Sequence, residues 1–407
     1  MIITESQNII HNKLEEINQL INENYSEIPK IGVFTGISGM ALFHFYYSKY
    51  SNSNNYGDMG LEILVKGIDR INKGNIFPTY CNGLAGFGWV VNHLQQEGFM
   101  EVDNDELLEG LDNYLFTEMT STMKAGHYDF LHGALGYGFY FLKRFKNTRS
   151  EKLKERYKIY LLELIDLLEK SSKKEGDKIK WLSILNKKTG EKVYSFGLAH
   201  GIPSIVNFLA RLYVFEDFKT KVHSMLMGGV EYILSHFKEE QNASSSLFPG
   251  WVKEGQKISR KSRVAWCNGD LGVGLAIWQA SISLGDSSLA STANNIFKYS
   301  TNRNSPGDSL VRDAGLCHGS FGNAQIFNRM YQETGKKIYR DTAGFWVNDG
   351  LKKAFHKDGF AGYKQWRGPE KPYQAELSVL EGIAGIGLSM ISHLSGDNSW
   401  DECLLIG

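Results

Sequence analysis

The sequence predicts an all-α fold, an α/α toroid of seven helical hairpins with small irregular or β inserts at its mouth. Three observations predict it. A G-x-x-G motif recurs seven times along the 407 residues, and each copy leads into an apolar segment. Segments with one charged face alternate with these apolar segments, as expected for buried inner helices and solvent-facing outer helices. The 43 glycines against 7 prolines are explained by the repeated turn.

The seven glycine turns define the inner helices. Their first glycines lie 47 to 68 residues apart, which leaves room for two helices and two loops per copy. We expect the glycines to let each inner helix begin and pack closely, and glycine at a helix terminus also permits backbone conformations that other residues avoid. The copies are Gly36–Gly39, Gly83–Gly86, Gly133–Gly136, Gly201–Ser204, Gly269–Gly272, Gly319–Gly322 and Gly382–Gly385, the fourth ending in serine.

Between the turns lie amphipathic helices and three irregular inserts. Residues 1–25 form an amphipathic amino-terminal helix, and 151–170 is an outer helix with one charged face. The inserts cover about 173–194, 239–262 and 356–376, where they either wall the mouth of the ring or form ordinary surface loops. We expect residues 1–407 to form a single domain, because a ring of repeats cannot be divided into independent cores.

Charge, hydropathy and cysteine usage exclude several classes of protein. Lys+Arg and Asp+Glu each total 45, so no net field attracts nucleic acid or an anionic membrane. The amino terminus lacks the basic and apolar regions of a signal peptide, and no apolar run is long enough to span a bilayer. Four cysteines in a chain of this length do not indicate a disulfide framework. We therefore expect a cytoplasmic protein.

Alignment of the copies on their first glycine collects polar side chains in one column. The residue before that glycine is Thr35, Asn82, His132, His200, Asn268, His318 or Glu381. One position earlier stand Phe34, Cys81, Leu131, Ala199, Cys267, Cys317 and Leu380. We expect these residues to gather where the inner helices begin, at the mouth of the ring.

Copies five and six carry a candidate metal site. In a sequential ring these copies are neighbours, so Cys267 can meet Cys317 and His318. Zinc takes such a Cys₂His set with its fourth position open in catalytic sites. The alternative is two buried thiols that act as small hydrophobes and a histidine that begins a helix. Cys81 lies across the ring and Cys403 near the chain end, so neither is expected to be a ligand.

The motifs Ala-His200-Gly, Trp-Cys267-Asn-Gly and Cys317-His318-Gly, in this order, resemble those of the lanthionine synthetase C-like family, the cyclases of lantibiotic biosynthesis. The resemblance extends over nearly the whole chain. It implies one zinc ion per chain on Cys267, Cys317 and His318. It also implies an acid or base at His200, with Asp129 and Arg263 as further catalytic residues. Asn268 departs from the tyrosine that bacterial cyclases carry there.

The resemblance implies a zinc-dependent lanthipeptide cyclase, a thioether-forming lanthionine synthetase. Cysteine thiolates of a dehydrated precursor peptide, leader plus core, would add to dehydroalanine or dehydrobutyrine and close (methyl)lanthionine rings. Arg263 would stabilise the enolate oxygen, His200 would deliver or remove a proton, and Asp129 would orient the imidazole. Partners can include a separate dehydratase and an export transporter, in a complex that can be peripheral at the membrane.

Each assignment has an alternative. His200 can satisfy backbone groups at a helix start, Asp129 can be a helix N-cap, and Arg263 can belong to a solvated basic cluster. His132 is the rival acid, and Glu381 can be an ordinary polar residue of the mouth. Other functions are addition of glutathione or another thiol to an unsaturated substrate, and a non-catalytic peptide-binding scaffold. A glycoside hydrolase that uses Asp129 and Glu381 would leave the cysteines unexplained.

Overall fold

The computed structural model describes residues 5–74, 76–186, 189–238, 245–256, 258–259 and 261–407. Residues 1–4 of the predicted amino-terminal helix and residues 239–244 of the second insert lie outside this part. The chain divides into two compact units, Met1–Val102 with Val311–Gly407, and Asp103–Leu310. The single domain expected over residues 1–407 stays a prediction.

Helices account for most of the described chain. The α-helices are α1 Glu5–Asn24, α2 Ile37–Ser51, α3 Asn54–Asn72, α4 Leu84–Gln96, α5 Asn104–Lys124, α6 Ala134–Asn147, α7 Glu151–Ser171, α8 Ile202–Tyr213, α9 Glu216–Leu234, α10 Asp270–Leu284, α11 Ser287–Thr301, α12 Pro306–Ser309, α13 Ser320–Thr334, α14 Lys337–Lys352 and α15 Ile383–Ser395. Short 3₁₀ helices cover Tyr25–Glu27 and Ser399–Leu404. The strands are β1 Lys173–Glu175, β2 Lys178–Lys180, β3 Ser183–Asn186, β4 Glu191–Ser195 and β5 Trp251–Val252.

The first unit contains the inner helices α2, α4, α13 and α15. Helix α15 packs against both α13 and α2, and α2 packs against α4. Helices α3 and α14 cover α2 and α13 from outside. No outer helix follows α15 in the described chain, and α1 from the amino terminus packs against it instead. The seventh hairpin is therefore completed by the other end of the chain, because a ring can pair its last inner helix with its first segment.

The second unit contains the inner helices α6, α8 and α10. Helix α8 packs against α6 and α10, while α7, α9 and α11 each cover the inner helix that precedes them. Outer helices bury one face only, as α7 does with Leu153, Tyr157, Leu161, Leu164 and Leu168. The alternation of buried and amphipathic helices expected from the sequence is confirmed within each unit.

All seven inner helices begin at the residue after the first glycine of their motif. In five copies the N–H of that residue donates to the carbonyl oxygen six positions before the glycine. The pairs are Ile37 to Lys30, Leu84 to Phe77, Ala134 to His127, Ser320 to Asp313 and Ile383 to Glu376. These loop carbonyls satisfy helix N–H groups that would otherwise need a side-chain cap, and the glycines provide none.

The glycines are required by close approach more than by unusual dihedral angles. A Cβ atom on the second glycine would lie 1.9 to 2.5 Å from a backbone oxygen six residues earlier, at Gly39, Gly86, Gly272, Gly322 and Gly385. The first glycines mostly have extended backbone that any residue can adopt. Gly269, with φ of +145°, is the exception. The close packing expected at the glycines is therefore confirmed, whereas a backbone conformation that other residues avoid occurs among the first glycines only at Gly269.

The first two inserts share a small sheet in the second unit. Strands β1 and β2 form one hairpin, and β3, β4 and β5 form a sheet in that order. β4 of the first insert pairs with β5 of the second through Tyr194 opposite Val252 and Ser195 opposite Trp251. The sheet therefore leads directly into the turn that carries His200. In the first unit, the third insert is held by isolated bridges, one of which joins Gln365 and Gln374.

Candidate active site

Three site segments of the second unit lie side by side on backbone hydrogen bonds. The N–H of Phe130 donates to the carbonyl oxygen of Ala199 (3.1 Å), and the N–H of Ala199 donates to that of Cys267 (3.2 Å). Ala199 therefore joins the segment that carries Asp129 to the segment that carries Cys267. His200 follows Ala199 directly and is positioned between them.

Asp129 and His200 form an ion pair or hydrogen bond, depending on protonation. Nδ1 of His200 lies 3.4 Å from Oδ1 of Asp129, and the His200 side chain is 54% exposed. Burial would raise the pKa of Asp129, but the hydrogen bond and charge of His200 and the N–H of His132 lower it below its ordinary value. The imidazole therefore faces an ionised carboxylate on one side and solvent on the other.

The alternative roles of Asp129 and His132 are clarified by the turn around them. The N-cap of α6 is Gly133, so Asp129 is not a helix cap. Oδ1 of Asp129 instead accepts a hydrogen bond from the backbone N–H of His132 in the preceding turn, with 2.7 Å between oxygen and nitrogen. His132 lines the same cleft as His200, so the rival acid remains within the candidate site.

A cleft of about 220 Å³ opens beside this pair. Its lining includes Asp129, His132 and His200 from the glycine turns, and Ser183 from β3. Ser183 donates its hydroxyl to the carbonyl oxygen of His200 (3.0 Å). Tyr128 lies 2.5 Å from the same hydroxyl. The first insert therefore forms one wall of the cleft and supports the backbone of the histidine.

Arg263 lies in the irregular segment that leads to Cys267. Its side chain is half-buried, and its carbonyl oxygen would lie 2.1 Å from a Cβ atom on Gly269. The backbone of Arg263 therefore folds against the turn of Cys267. Lys261 of the basic cluster is exposed, whereas Arg260 lies outside the described residues. The predicted contact of the Arg263 guanidinium with substrate stays a prediction.

Asn268 is exposed beside the second insert. Its side-chain amide nitrogen lies 3.5 Å from the position that a Cβ atom would take on Gly250. The position that departs from the expected tyrosine therefore borders the 245–256 segment.

Cys317 and His318 lie in the first unit, and both are half-buried. The N–H of Cys317 donates to the carbonyl oxygen of Leu380 (2.9 Å), which ties the sixth turn to the seventh. Nε2 of His318 lies 3.1 Å from Oδ2 of Asp313. It also lies 3.4 Å from the carbonyl oxygen of Trp366. The imidazole is thus held by its own turn and by the third insert.

Asp313 and Trp366 were missed at the level of sequence. Asp313 belongs to the column six positions before the first glycine, which contains Lys30, Phe77, His127, Ser195, Arg263, Asp313 and Glu376. Five of these seven residues are charged or are histidine, and Arg263 is one of them. That column was a usable signal for Asp313. The contact of Trp366 depends on how the third insert folds back, which no spacing in the sequence indicates.

The structure brings the three predicted ligands together. One ligand atom from each of Cys267, Cys317 and His318 lies within 4.8 Å of the other two. Donors at 2.0 to 2.3 Å from one tetrahedral ion are roughly 3.3 to 3.8 Å apart, which is inside that limit. Two thiols and an imidazole also match the donor preference of zinc. This cluster could hold a metal ion.

The other two cysteines, Cys81 and Cys403, are buried. All four cysteines are described, and none forms a disulfide. Cys81 is 2% exposed, with its sulfur 3.9 Å from the hydroxyl of Thr35, and Cys403 is fully buried. Both side chains are therefore shielded from solvent.

Glu381, the polar residue of the seventh turn, pairs with the third insert. Its carboxylate lies 2.8 Å from Nη1 of Arg367, and Nη2 of Arg367 lies 2.5 Å from Glu376. Burial raises the pKa of Glu376, although the Arg367 charge opposes it. Glu381 therefore shares one cation, Arg367, with a second carboxylate.

Comparison with known proteins identifies the family. The sequence profile of lanthionine synthetase C-like proteins matches residues 28–405. The chain belongs to the lanthionine synthetase C-like family. The family resemblance of the three site motifs is therefore confirmed over nearly the whole chain.

The structure is also similar to that of nisin cyclase. The TM-score is 0.72 at 18% sequence identity, and the match covers 98% of this chain and 97% of the other. A likeness at this identity shows the fold, and the predicted all-α, toroid fold class is confirmed. In the described part of the chain, every helix is too short or too polar to cross a bilayer.

Proposed function

We propose that this member of the lanthionine synthetase C-like family is a zinc-dependent lanthipeptide cyclase. The observation that carries the proposal is the approach of two thiols and one imidazole, from Cys267, Cys317 and His318, to within 4.8 Å. An exposed histidine paired with a carboxylate lies in the segment next to Cys267. The name of the structural relative, nisin cyclase, agrees with a peptide substrate.

Cys267, Cys317 and His318 would hold the zinc ion and leave one coordination position for substrate. Zinc bound by such a set supplies the positive charge that keeps a substrate thiol deprotonated at neutral pH. The contact of His318 Nε2 with Asp313 would hold the imidazole in one orientation.

His200 would move the proton of the addition. A thiolate that attacks the β-carbon of dehydroalanine or dehydrobutyrine leaves an enolate, which needs a proton at its α-carbon. The imidazole of His200 is exposed to the cleft and can give that proton or take one from the incoming thiol. Asp129, held ionised, would orient the ring and stabilise its protonated form.

Arg263 would stabilise the enolate oxygen. Its side chain is a guanidinium cation, and its backbone lies against the turn of Cys267. The positive charge would oppose the negative charge that develops on the carbonyl oxygen of the dehydrated residue. This role makes Arg263 important for rate and not for metal binding.

The proposal is tested with a dehydrated precursor peptide and a thiol-alkylating reagent. We expect the zinc-loaded protein to protect the peptide's cysteines from alkylation, with no change in peptide mass before the reagent is added. His200→Ala should keep its zinc and slow ring closure by about 10² to 10⁴-fold. Cys317→Ala should lose both zinc and activity.

Two outcomes would redirect the proposal. Peptide cysteines that all remain open to alkylation, with one zinc ion per chain, would contradict the peptide cyclase and favour addition of glutathione or another thiol. Peptide binding that survives in Cys317→Ala, without any ring closure by the wild type, would favour a non-catalytic scaffold. Both experiments use the full chain.

The partners follow from the proposed reaction. The substrate must already contain dehydrated serine or threonine residues, so a separate dehydratase would act first. An export transporter would act after ring closure. Thiols that are not in disulfides suit the reducing cytoplasm as the place of reaction.

A further inference from the structure

Asp313 is a buried carboxylate that faces three hydrogen-bond donors. Its side chain is 1% exposed. Oδ1 accepts the N–H of Gly315 (3.1 Å), and Oδ2 accepts the N–H of Trp366 (3.0 Å). Nε2 of His318 lies 3.1 Å from the same Oδ2. A buried carboxylate is costly unless hydrogen-bonded, and these three contacts offset the cost.

The contact with Asp313 decides which nitrogen of His318 is available. An ionised carboxylate can only accept hydrogen bonds, so the nitrogen that faces it must carry the proton. In a neutral imidazole the proton on Nε2 leaves the lone pair on Nδ1. Histidines that bind metals usually donate their other N–H to a carboxylate or carbonyl in this way.

We propose that Asp313 is a positioning residue that fixes His318 in the tautomer whose Nδ1 binds the metal. Neither the sequence motifs nor the ligand set itself includes this residue. The inference rests on the proposed function only in its premise that Cys267, Cys317 and His318 hold a metal ion.

The same carboxylate attaches the third insert to the ligand. Trp366 donates its backbone N–H to Asp313, and its backbone carbonyl oxygen lies 3.4 Å from Nε2 of His318. The guanidinium of Arg312 lies 5.1 Å from the centre of the Trp366 ring, which adds a cation–π contact. Loss of the carboxylate should therefore loosen the insert as well as the imidazole.

The test measures zinc affinity by competition with a chromophoric chelator. Asp313→Asn exchanges one acceptor oxygen for an NH₂ group. The amide cannot accept from Gly315, Trp366 and His318 together. We expect zinc to bind about 10 to 100-fold more weakly. Hydrogen exchange at the Trp366 amide should also become faster than in the wild type.

Asp401→Asn is the matched control. Asp401 is likewise a buried carboxylate of the first unit, but its partners include Gln325 and Arg329, which are not predicted ligands. We expect this variant to lose stability and keep wild-type zinc affinity. An equal loss of affinity in both variants would show a general effect of destabilisation and overturn the inference.

A measurement on the wild type covers the case in which Asp313→Asn does not fold. In zinc-loaded protein labelled with ¹⁵N-histidine, the metal-bound nitrogen of His318 should be Nδ1 and the protonated nitrogen Nε2. Binding through Nε2 would overturn the inference, as would unchanged zinc affinity in folded Asp313→Asn. Failure of the wild type to bind zinc would contradict the proposed function instead, so the two failures are distinguishable.

Discussion

The buried His44 should make the folded protein less stable in acid. It lies in α2, is fully buried, and neither ring nitrogen has a hydrogen-bond partner among the described residues. Burial without a partner penalises the charged imidazolium, which lowers the pKa of His44 from 6.5 to about 4. Replacement by leucine, which has a similar volume and cannot be protonated, isolates this effect.

The sign and size of the effect follow from the two pKa values. Because the folded-state pKa is depressed, the unfolded chain takes up the proton first. The contribution of neutral His44 to the free energy of unfolding is therefore intact above pH 6.5 and is lost as the pH falls towards 4. The difference amounts to about 3.4 kcal/mol in total, of which about 2 kcal/mol is lost between pH 7 and pH 5.

The assay is urea denaturation followed by circular dichroism at pH 7 and pH 5. The free energy of unfolding of the wild type should fall between these values by about 2 kcal/mol more than that of His44→Leu. Other titrating groups are common to both proteins and cancel in this difference. His223→Gln, a change at an exposed histidine of α9, should behave as the wild type does. Equal slopes for the wild type and His44→Leu would refute the reasoning.

Three further predictions concern the candidate site and its support. Gly269→Ala should weaken zinc binding and destabilise the fold, because its Cβ would lie 2.1 Å from a carbonyl oxygen at φ of +145°. Gly285→Ala, at φ of +67° with open space around it, should cost about 1 to 2 kcal/mol in chemical denaturation and leave zinc affinity unchanged. Asp129→Asn should still bind zinc but close rings about 10²-fold more slowly in single-turnover assays, because the amide cannot stabilise a protonated imidazole. An unchanged rate would show that Asp129 does not assist His200. Arg303→Met should cost about 3 to 5 kcal/mol in the free energy of unfolding, because it leaves the fully buried carboxylate of Asp270 without a cation. A double variant that also carries Asp270→Asn should recover part of that loss in the same denaturation assay.

The periodic features of the fold could be predicted from the sequence because they are local. Each inner helix begins one residue after a glycine, and the outer helices have a charged face, so spacing alone placed them. The proposed ligands Cys267, Cys317 and His318 were found in the same way, since residues at one position of a repeat occur at one level of the fold.

The particular contact that requires glycine in each turn could not be predicted in the same way. The sequence indicated close packing and unusual backbone conformations at the glycines. It did not show that, in five turns, a loop carbonyl oxygen would lie within 2.5 Å of the Cβ that the second glycine lacks. Such a distance depends on the path of the preceding loop, and residue types along that loop do not encode it directly.

The helical repeat, the positions of the turns and the residue types next to the glycines can be deduced from the amino-acid sequence, because hydrophobic period and motif spacing are properties of single segments. Which side chains and backbone groups touch depends on the tertiary structure. Asp313 contacts His318 within one turn, whereas the third insert returns from a distant part of the chain and brings the backbone N–H of Trp366 to the same carboxylate. Hydrogen bonds form or fail over a few tenths of an ångström, a precision that arises when whole helices and inserts pack together.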